Sequence, residues 1–201
     1  MFKREFDFAR FAAPILAGAL ALSASTALAQ TVDSKSAKKM LFGKGSTAQV
    51  VELDWLDKNL QKVLKQGAAM MPYYGAIAVS PMEPQSSNLV ANVSNYHSAQ
   101  DAQKAALAIC NARRTTGEPC VILATVLPKR YKSRQLTLSA EATQAFDKKY
   151  RKLKAPKAMA VSPSTGFFGM DRGDGGRALS ACNAQAKAKG NADCRIVIAD
   201  Q

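Results

Sequence analysis

Few side chains in this chain have types and spacings that could do chemistry. The only histidine is His97, beside Tyr96 and just before Ser98. A histidine becomes a general base when a nucleophile or an orienting carboxylate lies within reach. No nucleophile pairs with His97 in the sequence. It therefore reads first as a loop residue packing its ring locally, with a small hydrolase- or lyase-type site around it as the alternative. Ser80 and Ser162 recur in Val-Ser-Pro and read as turn residues at strand ends. Gly173-Asp174-Gly175-Gly176 precedes a helix, where an anion could be cradled. It lacks a following Lys-Ser/Thr, and Asp174 would repel phosphate, so it reads as a turn with Asp174 as the cap. Tyr73-Tyr74 and Phe167-Phe168 are aromatic pairs at strands, whose surface share could form a ligand shelf. The sequence holds no G-x-S-x-G, H-E-x-x-H or P-loop pattern. No catalytic, cofactor-binding or metal-ligating residue is assigned, and no cofactor is expected.

The four cysteines, Cys110, Cys120, Cys182 and Cys194, depend on compartment for their chemistry. Residues 1–10 carry Lys3, Arg4 and Arg10 against Glu5 and Asp7; residues 11–22 carry no charge; Ala27-Leu28-Ala29 follows. This is the layout of a secretory signal peptide, expected to be cleaved after Ala29 to leave a periplasmic or secreted product. The apolar run is too short to cross ~30 Å of hydrocarbon, and no later stretch approaches 18 apolar residues, so no transmembrane segment is expected after cleavage. Outside the cytosol, paired cysteines become disulfides. A four-cysteine zinc site would want C-x-x-C-like steps, and neither pair has them. Four cysteines allow three pairings.

The elements that position these residues repeat, and the repeat chooses among the pairings. Ala76-Ile77-Ala78-Val79-Ser80-Pro81 matches Ala158-Met159-Ala160-Val161-Ser162-Pro163 at five of six positions. Ala106–Ala112 is echoed by Ala178–Ala184, and Cys120–Ala124 by Cys194–Ala199. Three blocks in one order read as an internal duplication. Each half holds one cysteine pair, so Cys110–Cys120 and Cys182–Cys194 are expected, each worth roughly 3 kcal/mol in the chain-entropy model. Each copy reads as a strand running into Ser-Pro, then a second strand (89–94 and 166–170). A helix follows, and last comes a strand beginning at the second cysteine (121–127 and 196–199). Ser98 with Asp101 predicts a capped helix start, its buried stripe being Ala99, Ala102, Ala106, Ile109 and Cys110, and Gly190 a stop for the second helix. Upstream, a strand over 49–53 and a helix over 54–66 are expected, with Leu56, Leu60, Val63 and Leu64 inward and Gly67 ending the helix. Between the copies, 136–138 reads as a small strand, and Ser139 caps a helix to about Leu153.

The fold class is thus α+β: two pseudo-symmetric ββαβ repeats packed as one body, each with an internal disulfide. The divisions are 1–29 signal peptide, 30–71 strand and helix, 72–127 repeat one, 128–156 basic connecting segment, and 157–201 repeat two. A chain of 201 residues with 47% hydrophobic and 21% charged residues is ordinary for a globular protein and excludes wholesale disorder. The net charge of +13 is concentrated. Residues 128–157 carry Lys129, Arg130, Lys132, Arg134, Lys148, Lys149, Arg151, Lys152, Lys154 and Lys157, against only Glu141 and Asp147. Charge runs are commonly solvated faces. As a functional patch, Lys148, Lys149, Arg151 and Lys152 would attract a polyanion. Base stacking needs aromatics among the charges, and only Tyr131, Phe146 and Tyr150 qualify, so nucleic acid is not the expected partner.

The strand Tyr74–Pro81, the Ala-rich helix ending at Ala105–Ala112 and the strand Cys120–Ala124 resemble an uncharacterised bacterial family of exported proteins, a domain of unknown function. The second copy carries the pattern at Lys157–Pro163, Ala178–Ala184 and Cys194–Ala199, so the resemblance covers about residues 72–201. It implies the fold and disulfides and brings no catalytic residues. Similar chains are sometimes assigned a 5-aminolevulinate synthase activity. The residues here do not support it: a pyridoxal-phosphate enzyme needs a Schiff-base lysine, a pyridinium partner and a phosphate cup on a large scaffold. The expected function is that of a non-enzymatic periplasmic protein binding an acidic envelope component or another envelope protein.

Overall fold

The computed structural model describes residues 31–81, 90–115 and 117–201. The leader expected at 1–29, most of the loop after Pro81, and Leu89 lie outside them. The chain order is α1 (Ser34–Met40), β1 (Ser46–Val50), α2 (Lys58–Met70), β2 (Gly75–Val79), β3 (Val90–Val93), α3 (Ala99–Arg113), β4 (Val121–Pro128) and α4 (Ala140–Lys148). A 3-10 turn (Tyr150–Lys152), β5 (Lys157–Val161), β6 (Phe168–Arg172), α5 (Gly176–Lys187) and β7 (Arg195–Asp200) follow.

Alternation of small and large residues in β2 and β5 sets the layers. Successive strand side chains point to opposite faces. Ala76 and Ala78 of β2 pack with Ala102, Ala106 and Cys110 of α3. Ile77 and Val79 pack on the other face with Leu56, Leu60, Leu64 and Ala68 of the α2 segment. In β5, Ala158 and Ala160 pack with Ala178 and Cys182 of α5. Met159 and Val161 pack with Ala37, Ala142, Phe146 and Tyr150 from α1, α4 and the 3-10 turn. Each sheet is therefore covered on both faces, with a disulfide-bearing helix on the alanine side.

Both sheets are antiparallel, in the orders β1-β4-β2-β3 and β6-β5-β7. A ββαβ connection occurs twice with the same strand order, and the pairing register shifts at Ile77/Ala78 in one sheet and at Met159/Ala160 in the other. Cys110–Cys120 and Cys182–Cys194 each join the helix to the following strand across a Cα–Cα distance of 6.1 Å. Beside them, Asn111 and Asn183 each accept a hydrogen bond from the backbone N–H of the second cysteine, at 3.0 and 3.2 Å. The sheets differ at the outer edge of the third strand. β1 pairs fully with β4, whereas among the described residues the outer edge of β7 pairs its backbone with Val32, through bonds of 3.1 and 3.0 Å.

Side-chain caps explain where four helices begin. Asp33, Asp57, Ser98 and Ser139 accept from the N–H groups of Ser36, Leu60, Asp101 and Ala142. The Ser98 hydroxyl also donates to Asp101 at 2.6 Å. Several sequence expectations are corrected. The α5 cap is Gly175, at φ +101°, while Asp174 accepts from Gly176 N–H one residue earlier. A Cβ at Gly175 would come within 2.3 Å of Ile196 Cδ1, so the helix entry needs glycine there. α2 starts after Asp57 and runs through Gly67 to Met70, because nothing crowds that glycine and the stripe Leu60–Leu64–Ala68 continues past it. Val63 lies off that stripe and is exposed. Residues 136–138 form no strand; Leu136 and Leu138 are buried against α4 instead. β1 sits three residues earlier than expected. No helix among the described residues is long and apolar enough to cross a membrane.

Helix and sheet approach tightly at Gly169 of β6, where a Cβ would lie 2.3 Å from the Ala178 carbonyl oxygen and 2.6 Å from Cys182 N. Backbone cannot yield cheaply to such a clash. Gly169→Ala should destabilise the fold by about 2–3 kcal/mol, read as the shift in urea midpoint. Gly67→Ala, inside α2 with open space around it, should instead stabilise by about 0.5–1 kcal/mol in the same assay.

Candidate functional site

Three places bear on function: the joint around His97, the basic α4 segment, and a cleft beside α4. His97 is 4% exposed. The backbone N–H of Ser139 donates to its Nδ1 at 3.2 Å, which leaves the ring proton on Nε2, where it donates to the Phe167 carbonyl at 3.0 Å. His97 thus ties the entry of α3 to the cap of α4 and to the turn before β6. Both ring nitrogens hold backbone groups, and neither is left to abstract a proton. Burial pushes its pKa down to about 4, partly offset by the bond to Phe167 and by the Asp101 charge, with Arg195 pushing further down.

The basic segment is anchored from beneath. Phe146 and Tyr150 are fully buried, and their rings stack with centroids 5.6 Å apart. Tyr150 Oη lies 3.1 Å from Asp200 Oδ2 and 3.2 Å from the Lys157 carbonyl, and burial pushes the phenol up. Between and beyond these anchors, Lys148, Lys149, Arg151 and Lys152 are exposed. Arg151 forms a 3.5 Å ion pair with Asp147, also exposed. Two cations of the sequence cluster are used internally. Lys157 is buried, donates to the carbonyls of Tyr150 and Leu153 at 3.2 and 3.0 Å, and sits 3.7 Å from Asp200. Arg134 donates to the carbonyls of Met40 and Leu41 at the end of α1, its guanidinium 4.0 Å from the Phe42 ring centre.

The cleft, of about 530 Å³, opens between the α1–β1 loop, the end of α2, and α4. Phe42, Met70, Met71, Pro72 and Tyr73 give it apolar walls; Lys44 and Lys148 supply positive charge, Glu141 and Asp147 negative. Tyr73 is buried, its hydroxyl reaches the Phe42 carbonyl at 3.4 Å, and burial pushes its pKa up. Of the two aromatic pairs, only Tyr73 lines this cleft. Tyr74 is in the core beneath, its hydroxyl without a hydrogen-bond partner among the described residues, and Phe167 and Phe168 are half-buried by the His97 joint and α5. Lys148 is the one patch residue that also lines the cleft.

Ser80 is buried. Ser162, also buried, donates to Asp193 at 2.5 Å and accepts from Thr165 at 2.6 Å, closing the turn after β5. The Gly173–Gly176 segment forms the helix entry described above. Among the described residues, no group of three or more histidine, cysteine or acidic side chains could hold a metal ion. Comparison with protein-family models, with curated proteins and with solved structures finds no match to this chain.

The His97 joint carries a pH dependence of definite sign. In the unfolded chain the imidazole takes a proton near pH 6.5; in the fold it refuses one until about pH 4. Unfolding therefore binds a proton in that window, and stability falls as pH drops from 6.5 to 4, by roughly 3 kcal/mol for this group. Urea unfolding at stepped pH should show the loss, and His97→Gln should flatten the slope by about one proton. An unchanged slope would mean that His97 titrates normally.

Proposed function

We propose that this is an exported, non-enzymatic binding protein of the periplasm that holds an acidic envelope component on its basic α4 surface. The observation that carries the reading is the pairing of exposed charge with buried anchor. Lys148, Lys149, Arg151 and Lys152 stand on a segment fixed by Phe146 and Tyr150, so their charges are presented from a rigid base. Asp147 offsets only part of that charge. A rigid cationic face attracts polyanions through salt-screened, long-range forces. Export is supported by the leader-like residues 1–29 and by the two disulfides, which leave no free thiol. The twin ββαβ units, with equivalent register shifts and Asn-to-cysteine bonds, support descent from one duplicated unit, as the sequence repeat implies. The hydrolase- or lyase-type alternative gains nothing from His97, whose ring is engaged on both sides.

On a sulfated-polysaccharide column, the protein should be retained and elute in a salt gradient. Replacing Lys148, Lys149, Arg151 and Lys152 with Gln should lower the eluting salt to about half or less, because these charges act additively on a screened polyanion. The four sites are exposed, so circular dichroism should be unchanged. Equal elution of variant and parent would contradict the reading.

A further inference from the structure

Two helices begin at His97. α3 starts just after it, capped by Ser98, and α4 starts at Ser139, whose N–H donates to His97 Nδ1 at 3.2 Å. The first four N–H groups of a helix find no partner along the helix itself and must be held in another way. At α4 every one is accounted for. His97 Nδ1 holds Ser139, the Tyr73 carbonyl holds Ala140 at 3.3 Å, and Asn95 Oδ1 holds Glu141 at 3.0 Å. The fourth, Ala142, is met by the Ser139 hydroxyl at 3.1 Å. Three successive donors are thus held by the first unit. The inner face of α4, with Ala142 and Phe146, packs instead with Met159 and Val161 of β5. α4 stands with its first turn on one unit and its face on the other. His97 also holds the second unit directly, through the Phe167 carbonyl.

Of the three groups that the first unit offers, a carbonyl, an amide and an imidazole, only the imidazole titrates. Nδ1 accepts the Ser139 N–H through its lone pair, and a proton placed there removes the acceptor outright. That proton also sets a positive charge beside two helix N-termini, each of which carries partial positive charge. Asp101 of α3, which accepts from the Ser98 hydroxyl, favours the proton, and Arg195 of β7 opposes it. The α4 entry and the turn before β6 face the ring with backbone groups, the Ser139 N–H and the Gly166 and Phe167 peptide groups. Burial outweighs Asp101 and keeps the ring neutral at neutral pH. Tyr73, Ala140 and Glu141 line the cleft beside α4, so the turn held by this joint is also part of the cleft wall.

We infer that His97 is an acid-operated latch on α4: a proton on Nδ1 expels the Ser139 N–H, frees the first turn of α4 from the first unit and opens the cleft beside it, while both sheets stay folded. The inference does not depend on what α4 binds. Native-state hydrogen exchange on the isotope-labelled full chain, disulfides intact, tests it in sub-denaturing urea between about pH 6.5 and about pH 4.5. Corrected for the intrinsic rate at each pH, protection of the Ser139, Ala140 and Glu141 amides should fall about tenfold per pH unit, because the opening takes up one proton. That exchange should be insensitive to urea, since little surface is exposed in a local opening. The strand amides of β2 and β4 should stay better protected and respond to urea. In His97→Gln, exchange of the three α4 amides should no longer follow pH. Two outcomes in the unaltered protein decide the matter without the variant. If Ser139 shows the same protection and urea response as the β2 amides, α4 leaves only when the whole chain unfolds, and the latch is overturned. Protection of Ser139 that stays constant across the pH range would overturn it as well.

Discussion

The rest of this structure depends on two helices packed on their sheets through small side chains. α3 meets β2 through Ala76, Ala78, Ala102 and Ala106; α5 meets β5 and β6 through Ala158, Ala160, Ala178 and Gly169. Small side chains allow this approach but each buries little apolar area, so the layer gains less hydrophobic stabilisation than a leucine-filled one would. The disulfides offset that weakness. Each ties the helix to the strand beside it, removing disorder from the unfolded chain where the packing layer is thinnest. The larger residues, Ile77, Val79, Met159 and Val161, face the other way, onto helices that carry no disulfide.

Polar contacts at one short turn, residues 95–97, help join the two sheets. Asn95, at φ +66°, accepts from Glu141 N–H at 3.0 Å, and His97 links Ser139 to Phe167. Gly166 sits so close that a Cβ there would lie 2.5 Å from the Asn95 carbonyl oxygen. Buried polar groups with few apolar neighbours to hold them define an orientation more than they add stability. The lone histidine is therefore a joint, with both ring nitrogens holding backbone groups.

Local signals were the legible ones. Ser98 and Ser139 announce their helices because a capping bond reaches only two or three residues. The cysteine pairing was legible because the repeat placed each pair within one unit. What depended on distant partners was not. His97 binds residues 42 and 70 positions away, so its role has no local signature. Lys157 looks like one more cation of a basic run, yet it is buried against Asp200 from the chain's end. α1 passed as a polar start because a seven-residue helix with one buried alanine has almost no periodicity. Val63 is exposed because the sheet takes the face of Leu60, Leu64 and Ala68, a choice made by distant residues. The cleft draws on three segments spread over about a hundred residues and could not have been assembled from spacing alone.

The thin alanine layers hold because each helix over them is tied to its neighbouring strand by its own sulfur bridge. Peptide mapping of the native, unreduced protein tests this most directly. Proteolytic fragments should show Cys110 joined to Cys120 and Cys182 joined to Cys194, with no thiol open to alkylation. A bridge running from one half to the other, or a pair of reactive thiols, would contradict the account.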